Sequence, residues 1–198
     1  MYVYGVQFQK CNRLKSVSRI EFTEIEGVKI LKAKVSNDLR GSFIKFDPGK
    51  LLLDELGNVA VSINPRAGTI RGIHIQVEPY AEEKIVSCIQ GSTFEVIIDL
   101  RPKSLSFGKF ATFELSQNEV NQVYLPKGIA HGFQTLSHQT IIHYFLTSKY
   151  SPESSYTVDP FGDLNIQWPF KNFAISEKDS KGVSMEYAAQ KYAESLNT

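Results

Sequence analysis

Hydrophobic and polar positions alternate along most of this chain with the two-residue period of a half-buried strand. Tyr2, Tyr4, Val6 and Phe8 alternate with Val3, Gly5 and Gln7, which predicts a strand over 2–8. A strand at a chain end needs an edge to pair with, and a partner subunit is an expected source of one. Alternating or β-branched runs recur at 28–34, 41–46, 59–64, 68–76, 84–89, 93–100, 110–115, 122–125 and 140–147. Between them lie a polar turn at Ser36–Arg40, a loop at Pro65–Gly68, and Gln90-Gly91-Ser92, which reads as a hairpin joining its two flanking strands.

A helical pattern occurs twice. Near residue 50, Asp47 caps LLLDEL, Pro48 sits in its first turn and Gly57 ends it. Over 184–198, Ser184 is a cap and Met185, Ala188, Ala189, Tyr192 and Leu196 form an apolar stripe at helical spacing. The stretch 150–182 is rich in Pro, Ser, Asp and Gly and is expected to wrap the body as loop. Many short strands at regular spacing with little helix predict a mainly β fold, a sandwich or barrel. No internal repeat, low-complexity segment or linker divides residues 1–198, so one domain is expected.

Composition narrows the function. With 42% apolar and 22% charged residues and a formal net charge of +1, the 198-residue chain is ordinary globular protein. Near-neutral charge provides no field for nucleic acid or anionic lipid, and no apolar run is long enough to span a bilayer. The first twenty residues lack the uninterrupted apolar core of a secretory signal. They are free of acids and carry Lys10, Arg13, Lys15 and Arg19, as a transit peptide would, but their aromatics alternate like a strand. The two cysteines, Cys11 and Cys88, form no disulfide framework or thiolate metal motif, which fits a reducing cytoplasm. Cys88 is expected to pack as a small hydrophobe.

The chemistry centres on GTIRGIHIQ, residues 68–76. This is a buried-strand pattern interrupted by an arginine and a histidine, neither of which belongs in a core without a partner. On a flat strand Ile70, Gly72, His74 and Gln76 share one face, and Arg71 shares the other with Ile73 and Ile75. Arg71 and His74 reach one pocket only if the strand bulges between them, and Gly72 is where that is easiest. Lys84, His131 in PKGIAHGF and Tyr144 in QTIIHYFLT are further candidates. Each also has a structural reading: a solvated strand end, a turn histidine and a core aromatic. His143 and Tyr144 must face opposite sides, and periodicity does not decide which enters the interior. A P-x-G-x-x-H segment near a barrel's end looks like the second metal motif of the cupins. The matching first motif reads His74-Ile75-Gln76, whose amide is a poor metal ligand, so no metal is expected.

The run from Gly68 to Phe110, with QVYLPKGIAHGFQTLS, YSPESS, LNIQWP and SEKD following in order, resembles the dTDP-4-dehydrorhamnose 3,5-epimerase (RmlC) family over roughly residues 20–181. The resemblance implies a cupin-like jelly-roll barrel. It also implies a cytoplasmic homodimer that needs no cofactor and binds a nucleotide-diphosphate sugar. The reaction is epimerisation of a nucleotide-linked 4-keto-6-deoxy sugar at C3, C5 or both. A ketoisomerase on a similar sugar and a non-catalytic sugar-binding barrel are the alternatives. The family's base falls on His74, the aspartate paired with it on Asp179, its acid on Tyr144 and the lysine near the keto oxygen on Lys84. Substrate-binding positions fall on Arg40, Phe43, Asn64, Arg71 and His131, and His143 is expected to face away. Lys45 stands where the family commonly has an acid, only Asn64 matches the region before the opening strand, and residues 1–19 precede the family start.

Overall fold

The computed structural model describes residues 20–22, 24–45, 57–119 and 121–197, and in it two antiparallel β-sheets lie face to face. One has six strands in the order β1 (Ile20–Phe22), β2 (Lys29–Lys32), β10 (Asn121–Leu125), β7 (Lys84–Gln90), β12 (Thr140–Leu146) and β5 (Asn58–Asn64). The other has five, in the order β13 (Ser155–Thr157), β6 (Ile70–Gln76), β11 (Ile129–Thr135), β8 (Ser92–Asp99) and β9 (Phe110–Ser116). A separate ribbon pairs β3 (Lys34–Asp38) with β4 (Gly41–Lys45). The expected jelly roll is present as two stacked sheets, not as one closed barrel. The predicted strand over 2–8 and helix near residue 50 lie outside the described residues.

Alternation along the strands builds three apolar layers. Val86, Cys88, Ile97, Leu115, Val123, Phe133 and Ile142 meet between the sheets, so Cys88 packs as the expected small hydrophobe. Ile70, Ile73, Ile75, Val96 and Ile98 point out of the other face of the five-stranded sheet. There they pack under Trp168 and under Ala188, Ala189 and Tyr192 of α2 (Met185–Ser195). Ser184 caps that helix by accepting from the Tyr187 amide. A smaller group, Leu31, Ile85 and Tyr124 with Phe145 against it, lies on the outer face of the six-stranded sheet.

Two expectations and one alternative reading need correction. Gln90-Gly91-Ser92 does not close a hairpin: β7 pairs with β10 and β12, while β8 pairs with β11 and β9, so this turn carries the chain from one sheet to the other. A Cβ on Gly91 would lie 2.5 Å from the Ser137 hydroxyl and 2.6 Å from that of Thr140, so the crossing has room only for glycine. Alternation is the same whichever strand is the partner, which is why the local pattern suggested a hairpin. Ser36–Asp38 belongs to β3, and the turn is confined to Leu39 and Arg40. Finally, His131 lies not in a turn but in mid-strand in β11, whose seven residues are all buried and therefore do not alternate.

The segment 150–182 is mostly loop, with β13 and a short helix, α1 (Glu177–Ser180), within it. It is fastened across the five-stranded sheet. Gln134 and Phe170 exchange bonds of 3.0 and 2.8 Å, the Trp168 indole donates to the Pro160 carbonyl, and Thr69 bridges to Ala174. These ties bring α1 beside β6.

Candidate active site

The strand β6 carries the bulge that its sequence required. His131 of β11 pairs with His74, but Phe133 pairs with Arg71, so three steps on β6 oppose two on β11. The slip falls at Gly72, which has φ +102°. A side chain there would meet the Gly132 Cα at 2.6 Å and the His131 carbonyl at 2.7 Å. The slip turns Ile70, Ile73 and Ile75 to the apolar layer under α2, while Arg71 and His74 both face the space between the sheets.

That space holds a cavity of about 300 Å³ walled by β5, β6, β7, β11 and β12, with Tyr150, Ser155 and Lys178 at its margin. His74, Lys84, Arg71, His131 and Tyr144 all line it. His74 Nε2 lies 2.7 Å from Asp179 Oδ1, and Asp179 Oδ2 accepts from the Gly72 amide at 3.1 Å. Asp179 is in α1, where its own amide donates to the capping Ser176 hydroxyl. Burial pushes the Asp179 carboxyl up. Its bond to His74, that ring's charge, the Gly72 amide and Lys178 outweigh the burial and hold it below the ordinary carboxylate value. The carboxylate is thus charged at neutral pH and fixes the proton of His74 on Nε2, leaving Nδ1 as the ring's basic atom.

Tyr144 comes from the opposite sheet. It packs inward with Ile142, its ring edge-on to His131 at 6.5 Å, while His143 faces outward against Phe145, as expected. Burial raises the Tyr144 pKa, and the charge of Glu95 adds to it against the opposing effect of Arg71, so the phenol keeps its proton throughout the neutral range. A histidine paired with a carboxylate on one wall thus faces a protonated tyrosine from the other.

The cationic groups complete the lining. Lys84 is buried and lies 3.3 Å from Glu82, a carboxylate that also lines the cavity. Arg71 donates to Asn64 Oδ1 at 2.8 Å, and the fully buried Asn64 amide is anchored on Ser62 and the Thr140 carbonyl. Asn64 is therefore not in the lining but holds the Arg71 side chain. Lys178 donates to the Tyr150 hydroxyl at 2.9 Å, and this bond lowers the Tyr150 pKa. Neither residue stood out in the sequence, although Lys178 adjoins Asp179.

Two more predicted residues, besides Asn64, are not brought to the cavity. Arg40 and Phe43 lie on the β3–β4 ribbon, where the Arg40 guanidinium is 90% exposed and bonds Asp38, and Lys45 stacks over the Phe43 ring. Gln76, at the cupin metal position, has its amide bonded to the Tyr80 and Lys149 carbonyls and the Ser151 amide. His131 is bonded to Glu95.

The chain is similar to known proteins over most of its length. The dTDP-4-dehydrorhamnose 3,5-epimerase family profile matches residues 22–186. The chain is 36% identical over 170 residues to a dTDP-4-dehydrorhamnose 3,5-epimerase of Sinorhizobium fredii, covering 81% of this chain and 86% of that protein. A crystal structure of RmlC from Legionella pneumophila in complex with dTDP-4-keto-L-rhamnose superposes with a TM-score of 0.81 at 30% identity, covering 88% of this chain and 96% of that one. NovW, a 4-keto-6-deoxy sugar epimerase from the novobiocin gene cluster of Streptomyces spheroides, gives 0.84 at 27% identity over 92% of this chain and 94% of its own.

Proposed function

Because the chain belongs to the dTDP-4-dehydrorhamnose 3,5-epimerase family, we propose that it epimerises a nucleotide-linked 4-keto-6-deoxy sugar at C3, C5 or both. The observation that carries this reading is the pairing of His74 with Asp179 on one sheet opposite a protonated Tyr144 on the other. Carbons 3 and 5 flank the C4 ketone, so loss of a proton from either gives an enolate. Inversion requires that proton to leave from one face and another to arrive on the opposite face. His74 Nδ1 takes the proton, and Asp179 stabilises the imidazolium that forms. Lys84 donates to the oxygen on which the enolate's charge develops. Tyr144 returns a proton from the far wall. Arg71 and Lys178 meet the diphosphate, where a planar guanidinium and a point charge are both suited to phosphate oxygens. Burial of the reacting groups strengthens each of these interactions.

The protein acts as a homodimer in the cytoplasm in this reading. The outer face of the six-stranded sheet supports it: Val59, Val61 and Ile63 on the edge strand β5 are each more than half exposed and run on to Phe145, Ile85 and Tyr124. A second copy covers that face, and Arg40 and Phe43 on the projecting ribbon reach a nucleotide there. No described helix is long and apolar enough to cross a membrane.

Incubation with dTDP-4-keto-6-deoxyglucose in heavy water, followed by NMR at C3 and C5, tests the proposal. Deuterium enters with inversion at one or both carbons for the parent, and His74→Ala loses about 10²–10⁴-fold of that exchange while still binding the nucleotide. Near-normal exchange in the variant would remove the base from His74.

A further inference from the structure

Two lysines and an arginine line the cavity, and their settings differ. Lys84 is buried, whereas Arg71 and Lys178 are exposed. A cation held away from water attracts an anion more strongly than one in solvent. On burial alone, Lys84 would be the strongest phosphate site of the three. Its charge is answered by the carboxylate of Glu82, 3.3 Å away, and the two side chains are each 10% exposed. Glu82 is the one carboxylate of that lining among the described residues. Arg71 is bonded instead to the Asn64 carboxamide and Lys178 to the Tyr150 hydroxyl. Asp179, next to Lys178, is bonded to the His74 ring and the Gly72 amide.

The local backbone aims Glu82 inward. Glu82 and Lys84 are two residues apart and share a face, and Lys84 sits opposite Leu146, the next inward position after Tyr144. The adjacent acid, Glu83, points the other way and accepts from the Tyr124 hydroxyl. Its backbone is fastened to Thr147 through both its amide and its carbonyl, by bonds of 2.8 and 3.2 Å. A carboxylate fixed in so dry a place is disfavoured without a cation, and Lys84 is the cation beside it. A diphosphate sugar brings two groups that a lysine can bind, a charged diphosphate and an uncharged ketone. A bare buried ammonium would take the diphosphate.

We propose that Glu82 is a positioning residue that neutralises Lys84 and so fixes the direction in which the substrate enters. The diphosphate is left to Arg71 and Lys178, and Lys84 keeps donors for the keto oxygen of the sugar. An ammonium has three donors, so the pairing with Glu82 does not use them up. The proposal rests on the epimerase reading for the sugar end, but the exclusion of phosphate from Lys84 is a property of the cavity itself.

Inorganic pyrophosphate, titrated by calorimetry into the substrate-free protein at pH 7, tests that exclusion. Glu82→Gln keeps the shape and removes the charge. It should bind pyrophosphate about 10-fold more tightly than the parent, because Lys84 then offers a charge-assisted bond in a buried setting. Glu82→Gln combined with Lys84→Met removes the pair together and should bind pyrophosphate as the parent does. With dTDP-4-keto-6-deoxyglucose, the single variant should hold part of its substrate the wrong way round. Such non-productive binding lowers kcat and KM by the same factor, about 10-fold, and leaves kcat/KM near the parent value. A merely structural contact would lower the unfolding temperature without tightening pyrophosphate binding. Unchanged pyrophosphate affinity in a folded Glu82→Gln overturns the proposal, and so does a gain that survives Lys84→Met. A fall in kcat with KM unchanged overturns it too, since Glu82 would then act on the chemical step and not on direction. If the single variant does not fold, the double variant decides. Pyrophosphate binding weaker than the parent's would show that Lys84 is already a phosphate ligand, and binding equal to the parent's supports the exclusion. A protein that shows the expected pyrophosphate pattern but does not turn over the sugar overturns the epimerase reading instead and leaves the exclusion standing.

Discussion

His74 Nε2 and Asp179 Oδ1 lie 2.7 Å apart although 105 residues separate them in the chain. Two features make the contact: the slip at Gly72 that turns His74 inward, and the segment 150–182 that carries α1 back to β6. The same aspartate accepts the Gly72 amide, so one carboxylate holds both the bulge and the base.

Asp179→Asn should lower kcat by about 10²–10⁴-fold, because a carboxamide neither fixes the tautomer nor balances the imidazolium. It should also remove a pH-dependent part of stability. The folded pKa of Asp179 lies below its unfolded value, so its contribution is present above the ordinary carboxylate range, about 4, and is lost as pH falls through the lowered folded value. Urea midpoints of parent and variant should therefore differ at pH near 7 and converge in acid. A gap that widens in acid contradicts this.

Gly72→Ala should destabilise the protein by about 2–4 kcal/mol and abolish turnover. The new methyl meets backbone at less than 3.0 Å in a conformation that alanine rarely adopts. Urea unfolding measures it, and a variant as stable as the parent removes the steric account of the bulge.

Much of this was legible in the chain. The bulge at Gly72 followed from two polar residues at odd spacing on a buried strand, and the capped helix α2 from its apolar stripe. The links that failed are non-local. Alternation in β7 and β8 cannot say which strands they pair with, so a sheet crossing has the same pattern as a hairpin. β11 is buried on both faces and hides the period that marks a strand. Lys178 and Glu95 carried no pattern of their own: one is recognised only once α1 reaches the cavity, the other only when β8 lies under His131. Asp179 was found through the family's SEKD motif, not from spacing.

Ile63→Glu should leave the fold intact and split the dimer. Ile63 is 61% exposed on the edge strand, opposite Ile141 of β12, so a carboxylate there costs nothing in a monomer but is buried unpaired against a second copy. Sedimentation should show a dimer for the parent and a monomer for the variant. A monomeric parent contradicts the proposed covering of this face.

Tyr144→Phe tests the two-wall account most directly. If the phenol is only packed against His131, its loss costs at most about 1 kcal/mol of stability and turnover hardly changes. If it is the acid, His74 still removes the proton and forms the enolate, but nothing on the far wall returns one. The measurement is NMR of the dTDP-4-keto-6-deoxy sugar in heavy water, following deuterium and configuration at C3 and C5 together. The account predicts that the variant washes deuterium in with configuration retained at one carbon or more, while inverted product is lost. Inversion at close to the parent rate would show that the proton comes from another source, and would contradict it.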